Sequence, residues 1–269
     1  MWLPIAVGLV RLLNWKLRLP VASEQKIPLL LSLYALVPLL LWLSVRYGDP
    51  ASLAAYGLVW NTHFLTQTAL GFGLGLGGIG LLLGLKRILG WVDWQGIAPH
   101  EAAAAEGDTA KENFSLFLTL LKLGLPIAVL ALVISGIEEA VFRGFVVSQL
   151  AVAYGWVAVV AIASALFAVL HLVWDGPAGL PQQPGLWLMG AVLILARWVD
   201  GGQLGLPTGL HAGWIFTLAL VDTLKLVAPA PASPRWLAGR SDQPLTGLLD
   251  IALLLVTAAL LWSFGSVGG

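Results

Sequence analysis

The sequence predicts an all-α fold, a polytopic integral membrane helix bundle with about eight transmembrane helices. Hydrophobic residues make up 59% of the 269 residues and charged residues only 10%, whereas a soluble domain carries about 25% charged residues. Apolar runs near the roughly 20 residues needed to cross a bilayer also recur along the chain. We expect crossings at about 28–45, 66–85, 114–134, 137–153, 156–173, 205–226 and 245–264, with a shorter, tilted or partial one at 186–199.

Residues 1–27 differ from the rest of the chain. Arg11, Lys16 and Arg18 follow one another among Leu, Val and Trp, a pattern typical of an amphipathic helix lying in the membrane interface. A first crossing is the alternative. A cleaved signal peptide would carry its charge before the apolar core. We expect residues 28–269 to form a single transmembrane domain, because no loop is long enough for a separate soluble one.

Charge and cysteine content narrow the function classes. The formal net charge is zero and no basic patch stands out, so we expect no nucleic-acid partner. The absence of cysteine excludes disulfides, thiolate metal sites and a cysteine nucleophile. The expected partners are membrane lipid and a membrane-associated protein or peptide substrate, and the sequence does not determine the oligomeric state.

Basic residues before the first crossing and after the second, at Lys86 and Arg87, predict a cytoplasmic N-terminus. The membrane is expected to be a prokaryotic cell membrane or an internal one.

The second crossing is rich in glycine. Three glycine pairs are spaced four residues apart, namely Gly71/Gly75, Gly73/Gly77 and Gly80/Gly84. A phosphate-binding loop would need a following Lys-Ser/Thr and a preceding strand, and neither is present. Glycines at this spacing instead predict close packing against another helix in the membrane.

Three charged residues, Glu138, Glu139 and Arg143, stand in an otherwise apolar run. Each charge at that depth costs about 2.5–3.5 kcal/mol on insertion scales. Glu139 and Arg143 are spaced i, i+4 and can form an ion pair on one helix face. Glu138 is rotated about 100° away, which leaves it without an intrahelical cation. The spacing alone is equally consistent with a structural clamp and with a general base.

Two histidines favour a site. His171 lies near the end of the 156–173 crossing and His211 in the first turns of the 205–226 crossing. If short loops join antiparallel crossings, His171 reaches the depth of Glu138, and His211 does so too if 186–199 crosses the membrane fully. His63 and His100 are expected to be solvated in loops. Asp222 with Lys225, and Arg197 with Asp200, are expected to form ion pairs near helix ends.

These residues resemble the CAAX protease and bacteriocin-processing (CPBP, or Abi) family of intramembrane proteins, of the CAAX prenyl protease 2 type. The family pattern is Glu-Glu-x-x-x-Arg, then Phe-x-x-x-His, then His-x-x-x-Asn on successive membrane helices. Here Glu138–Arg143 and Phe167–His171 match fully, whereas the third motif matches only at His211 because Ile215 stands at the Asn position. The resemblance covers about 115–226, which would be the catalytic core.

The resemblance implies an intramembrane endopeptidase that hydrolyses a peptide bond in a membrane-associated or prenylated protein. By position, Glu138 with His171 would activate a water molecule, Glu139 and Arg143 would hold the geometry and charge of the site, and His211 would stabilise the oxyanion. Ile215 cannot donate a hydrogen bond, so a second oxyanion donor is missing or supplied elsewhere.

Cofactor use and two further functions stay open. Two Glu and two His could bind zinc, but no His-Glu-x-x-His helix is present and Arg143 would oppose a dication, so a metal-free glutamate mechanism is favoured. A non-catalytic scaffold or bacteriocin-immunity protein could keep the motif for helix packing. An ion-coupled transporter could use the charges as an ion site, but no inverted repeat is apparent.

Overall fold

The computed structural model describes residues 2–16, 21, 23–47, 52–95, 109–231, 233–240 and 243–267. The described part of the chain is mostly helical, which confirms the predicted all-α class. The α-helices, numbered here in chain order, are α1 Trp2–Leu12, α2 Ser23–Tyr47, α3 Ser52–Ala55, α4 Thr62–Ile88, α5 Thr109–Glu139, α6 Val147–Ala153, α7 Trp156–Asp175, α8 Gln183–Val199, α9 Gly205–Thr223, α10 Arg235–Ala238 and α11 Leu248–Val267. Two short strands, β1 Val92–Trp94 and β2 Val227–Pro229, pair in antiparallel fashion.

The candidate membrane spans are fewer than the predicted crossings. In the described part of the chain, four helical stretches are long and apolar enough to span a membrane: Thr62–Ile88, Phe117–Ala153, Trp156–Val199 and Leu248–Gly265. The predicted count of about eight is therefore not confirmed. The Trp156–Val199 stretch contains a 3₁₀ turn at Gly176–Gln182, and α7 and α8 pack against each other on either side of it.

The two crossings predicted at 114–134 and 137–153 are one continuous helical segment. α5 passes through a π-helical segment, Ala140–Val146, directly into α6. Glycine at 136 and the charges that follow it do not interrupt the helix. The π segment carries Arg143, and π-helical turns within α-helices are frequent at functional sites. The charged motif therefore lies within a helix and not at the start of a new crossing.

α9 runs beside α4 in close backbone contact, which glycines on both helices permit. A Cβ at Gly209 would lie 2.0 Å from the Thr68 carbonyl oxygen, and one at Gly71 would lie 2.4 Å from the Leu206 carbonyl oxygen. Gly75 is equally close to α9, so the predicted role of the Gly71/Gly75 pair in packing is confirmed.

The other two predicted glycine pairs do not have this role. A Cβ at Gly73, Gly77, Gly80 or Gly84 would meet no atom within 4 Å among the described residues. In the described part of the chain, these four glycines therefore make no close contact with α9.

The hydrophobic core lies where α4, α7, α8, α9 and α11 meet. Phe167 on α7, Leu193 on α8 and Leu210 on α9 are fully buried in it. α7 and α8 also approach closely at Gly190, where a Cβ would lie 2.9 Å from the Ser164 Cβ. This contact presents the backbone of α8 to the charged motif.

Two predictions about polar residues outside the motif are wrong. Asp200 does not pair with Arg197; its Oδ1 lies 2.8 Å from Nε2 of His63, and its Oδ2 accepts a hydrogen bond of 2.9 Å from the Leu206 N–H. His63 lies in the first turn of α4 and not in a loop, although its half-exposed side chain agrees with the predicted solvation. Asp200, completely buried, needs this partner because an unpaired buried carboxylate is costly.

Two predictions about polar residues remain, one for the pair Asp222 and Lys225 and one for His100. The exposed ion pair of Asp222 with Lys225 is present at 2.7 Å, as expected from their spacing. His100 lies outside the described residues.

Candidate active site

Glu139 and Arg143 form the predicted ion pair in the interior of the protein. The Arg143 Nη1 donates a hydrogen bond of 3.0 Å to Oε1 of Glu139, and the two side chains are 1% and 0% exposed. The guanidinium also lies 4.2 Å from the centre of the Phe167 ring and donates to the Gly190 carbonyl oxygen at 3.4 Å. Hydrogen bonds and the aromatic face together offset the cost of burying this charge.

Arg197, a second arginine, braces the backbone at the motif. Its guanidinium donates to the carbonyl oxygen of Arg143, to that of Gly202 at 3.0 Å and to the Ser148 hydroxyl at 3.2 Å. In a π segment the backbone hydrogen bonds are rearranged, so an external donor to a carbonyl there stabilises the local geometry. Sequence reasoning did not predict this contact, because it depends on the packing of α8 against the motif.

α9 brings His211 to the buried pair. The Nδ1 of His211 lies 2.8 Å from Oε1 of Glu139, so this carboxylate oxygen is shared by an imidazole and a guanidinium. The His211 side chain is 3% exposed. A carboxylate accepts and does not donate when ionised, so Nδ1 carries the proton in this contact. The predicted convergence of the motif with His211 is therefore observed.

Glu138 has different surroundings from its neighbour Glu139. Its side chain is 18% exposed, and its Oε2 lies 3.8 Å from Nε2 of His211. Its Oε1 accepts a hydrogen bond of 2.7 Å from the Tyr34 hydroxyl on α2. Glu138 thus faces a different set of groups from Glu139, as its rotation around the helix predicted, and it is the more accessible of the two carboxylates.

Tyr34 is a site residue that sequence reasoning did not predict. The signal was its place in the middle of an apolar run, Leu29–Leu41, where a phenol hydroxyl needs a partner. A tyrosine in such a run can equally reach a backbone carbonyl or the membrane interface, and its actual partner lies 104 residues away. Only the packing of α2 against α5 identifies Glu138 as that partner.

His171 lies beside the cluster but does not join it directly. Its Nδ1 is 2.7 Å from the Phe167 carbonyl oxygen. A carbonyl accepts only, so Nδ1 carries the proton and Nε2 is the basic nitrogen of the neutral ring.

Phe167 connects the two histidines. Its ring centre lies 4.6 Å from that of His171 and 6.0 Å from that of His211. Among the described residues His171 forms no hydrogen bond with Glu138, so the structure places these two in the same neighbourhood without direct contact.

One buried acceptor in the cluster is unused. Oε2 of Glu139 has no hydrogen-bond partner among the described residues, nor does the hydroxyl of Ser135 one turn earlier on α5. Buried polar atoms are nearly always satisfied by protein or water. The site therefore has hydrogen-bonding capacity for a polar group that is not part of these side chains.

The side chains do not form a metal-binding set. Within the described part of the chain no group of three or more His, Asp or Glu side chains is arranged to hold a metal ion. The Arg143 guanidinium, 3.0 Å from Oε1 of Glu139, would also repel a dication at this carboxylate. These residues fit a zinc ion poorly, because zinc sites need three or four converging protein ligands.

Comparison with known proteins identifies the central segment. Residues 120–217 match the family model described as Rce1-like, type II CAAX prenyl endopeptidase Rce1-like. This segment contains Glu138, Glu139, Arg143, His171 and His211, which confirms the resemblance found from the motifs. No curated protein and no solved structure matches the chain. The family match and the apolar helices together indicate an integral membrane protein that contains a segment similar to intramembrane proteases.

Proposed function

We propose that the protein is an intramembrane endopeptidase that cleaves membrane-associated proteins, with prenylated CAAX proteins as the first substrate class to test. The observation that carries this proposal is the different environment of the two adjacent glutamates. Glu139 is completely buried against a cation, whereas Glu138 is partly accessible and faces an imidazole nitrogen. The proposal retains the cytoplasmic N-terminus indicated by the basic residues at Lys86 and Arg87.

Glu138 is the proposed general base. The 3.8 Å between its Oε2 and Nε2 of His211 is too long for a direct hydrogen bond. Polar groups at such a distance commonly share a water molecule. A water molecule between them would contact the Glu138 carboxylate, which takes its proton. It would also contact the His211 imidazole, beside which the substrate carbonyl is polarised.

Glu139 already accepts hydrogen bonds from Arg143 and His211, so its proposed role is to hold these two side chains in position.

His211 is the proposed oxyanion donor. Because its Nδ1–H is directed at Glu139, donation from Nε2 requires the imidazolium form, with a proton on both nitrogens. A carboxylate oxygen lies on each side of the ring, with Oε1 of Glu139 2.8 Å from Nδ1 and Oε2 of Glu138 3.8 Å from Nε2. A preorganised donor aimed at an oxyanion contributes a few kcal/mol of transition-state stabilisation.

The proposed hydrolysis balances with these groups. The water oxygen bonds to the scissile carbonyl carbon while its proton passes to Glu138, and the carbonyl oxygen becomes the oxyanion beside His211. The C–N bond then breaks as the leaving amine takes a proton from Glu138. His171 has its basic Nε2 available, and we assign it the role of orienting the water or relaying that proton. No step of this proposed reaction uses a metal, because the described side chains of the site do not converge as metal ligands.

The test uses the full chain in detergent with a fluorogenic prenylated CAAX peptide. We expect the wild type to release the terminal tripeptide, and Glu138→Gln to lower turnover by at least about 100-fold while the protein stays folded. Asp222→Asn is the matched control, because Asp222 is an exposed acid on α9, and it should leave turnover unchanged. If Glu138→Gln cleaves the peptide as fast as the wild type, the proposed mechanism is wrong.

The same assay separates the other function classes. A scaffold or immunity protein would cleave no peptide, and its function would survive Glu138→Gln. A transporter would show ion-coupled flux in vesicles without cleavage.

A further inference from the structure

We infer that Tyr34 is a positioning residue for Glu138, so that the reaction site extends to α2, outside the segment 120–217 that matches the protease family. The inference rests on the proposed function, in which Glu138 is the general base. It adds a residue that lies 104 positions before Glu138 in the chain and belongs to none of the three motifs.

The hydrogen bond from Tyr34 determines which oxygen of Glu138 is available. The phenol hydroxyl has one proton and donates it to Oε1 at 2.7 Å. The terminal torsion of a glutamate is broad and roughly two-fold, so an unrestrained carboxylate can rotate. A donor on Oε1 holds the carboxylate plane and leaves Oε2 on the side of His211, 3.8 Å from its Nε2. That is the oxygen assigned to the water.

Other groups near Glu138 do not provide this restraint. Among the described residues, the Glu138 carboxylate accepts a hydrogen bond from the Tyr34 hydroxyl alone. Arg143 donates to Glu139 and to Gly190, and Nδ1 of His211 is directed at Glu139. The partner therefore comes from a different helix, where removing it leaves the buried Glu139 cluster unchanged.

The geometry also explains why a tyrosine suits this position. α2 packs against α5, and a phenol places its hydroxyl beyond a rigid ring with two side-chain torsions. Phenylalanine keeps the ring and its packing and removes only the donor. This makes Tyr34→Phe a clean perturbation of the hydrogen bond.

The experiment measures kcat and KM of the full chain with the prenylated peptide for Tyr34→Phe. We expect kcat to fall roughly 10- to 100-fold, the range for loss of a hydrogen bond to a charged group. KM should stay within about twofold, because the hydroxyl contacts Glu138 and not the substrate. Tyr47→Phe is the control: it removes a hydroxyl from the same helix where the side chain is 76% exposed, and both constants should stay at the wild-type value.

A second measurement needs no catalysis. Thermal unfolding of the wild type, Tyr34→Phe, Glu138→Gln and the double variant forms a double-mutant cycle. We expect Tyr34→Phe to lower Tm in the wild-type background and to have a smaller effect in the Glu138→Gln background, because a neutral amide accepts a weaker hydrogen bond than a carboxylate.

The outcomes distinguish the two proposals. Coupling in the unfolding cycle together with a kcat-specific loss supports the positioning role. Coupling with unchanged kcat, while Glu138→Gln is inactive, overturns the role of Tyr34 and leaves the proposed function standing. Equal activity of Glu138→Gln and the wild type overturns both.

Discussion

The close contact between α4 and α9 makes a sharp prediction about how the site is held, because the chain contains a matched pair of glycines. Gly71 and Gly73 lie two residues apart on α4. A Cβ at Gly71 would lie 2.4 Å from the Leu206 carbonyl oxygen and 2.6 Å from the Leu210 nitrogen, whereas one at Gly73 would meet nothing within 4 Å among the described residues. Gly71→Ala and Gly73→Ala are therefore the same chemical change in two opposite environments.

The magnitude follows from the distances. To reach an ordinary contact of about 3.4 Å from the 2.4 Å found at Gly71, the two backbones must separate by roughly 1 Å. The obstructing atoms are backbone and cannot rotate away. Overpacking of this kind costs about 1–3 kcal/mol. Leu210 is the immediate neighbour of His211, so the same shift moves the imidazole from its 2.8 Å contact with Glu139.

The assay measures both consequences. We expect Gly71→Ala to lower Tm in detergent and to reduce kcat/KM for the prenylated peptide about 100-fold, since a misplacement of about 1 Å can have that effect. Gly73→Ala should keep wild-type activity and equal or greater stability, because alanine favours a helix over glycine by about 1 kcal/mol. Equal behaviour of the two variants in both measurements would refute the reasoning that glycine contacts on α4 position His211.

Two further predictions concern a buried ion pair distant from the candidate site and the metal dependence of turnover. Lys86 and Asp250 form an ion pair at 2.6 Å, and their side chains are only 11% and 8% exposed. Lys86→Met should therefore destabilise the protein by about 3–5 kcal/mol, because it leaves a buried charge without a partner. Lys225→Met, the control in an exposed ion pair, should destabilise it by about 1 kcal/mol or less. Unfolding curves of both variants check this, and equal losses would contradict it. Turnover of the prenylated peptide should also be unchanged after dialysis against a zinc chelator, because the described site residues do not converge as metal ligands. A loss of activity that returns when zinc is added would contradict the metal-free mechanism.

Much of the candidate site could be predicted because charges are costly in apolar sequence. Glu138, Glu139 and Arg143 stand out for that reason, and the i, i+4 spacing of Glu139 and Arg143 predicts their ion pair directly. These inferences need only helical periodicity and the polarity of each residue. They do not depend on how the helices are arranged.

Predictions that depended on neighbouring helices were less successful. Local spacing suggested that Asp200 pairs with Arg197, but His63 on α4 binds Asp200, and Arg197 binds the backbone of the motif. The break expected between 134 and 137 does not occur, because the chain continues from α5 through the π segment into α6. Spacing shows which partners are possible, and packing decides among them.

The sequence by itself determined the helical membrane class, the charged motif and the two histidines, because hydropathy and helical period are local properties of the chain. Tertiary structure decided that Glu139 is sealed against Arg143 and His211, and that Glu138 faces Tyr34 and the accessible side. Two adjacent glutamates have the same local sequence environment. Their difference comes from the helices packed on either side, and these approach through contacts such as that of Gly71 with α9, which no single segment specifies.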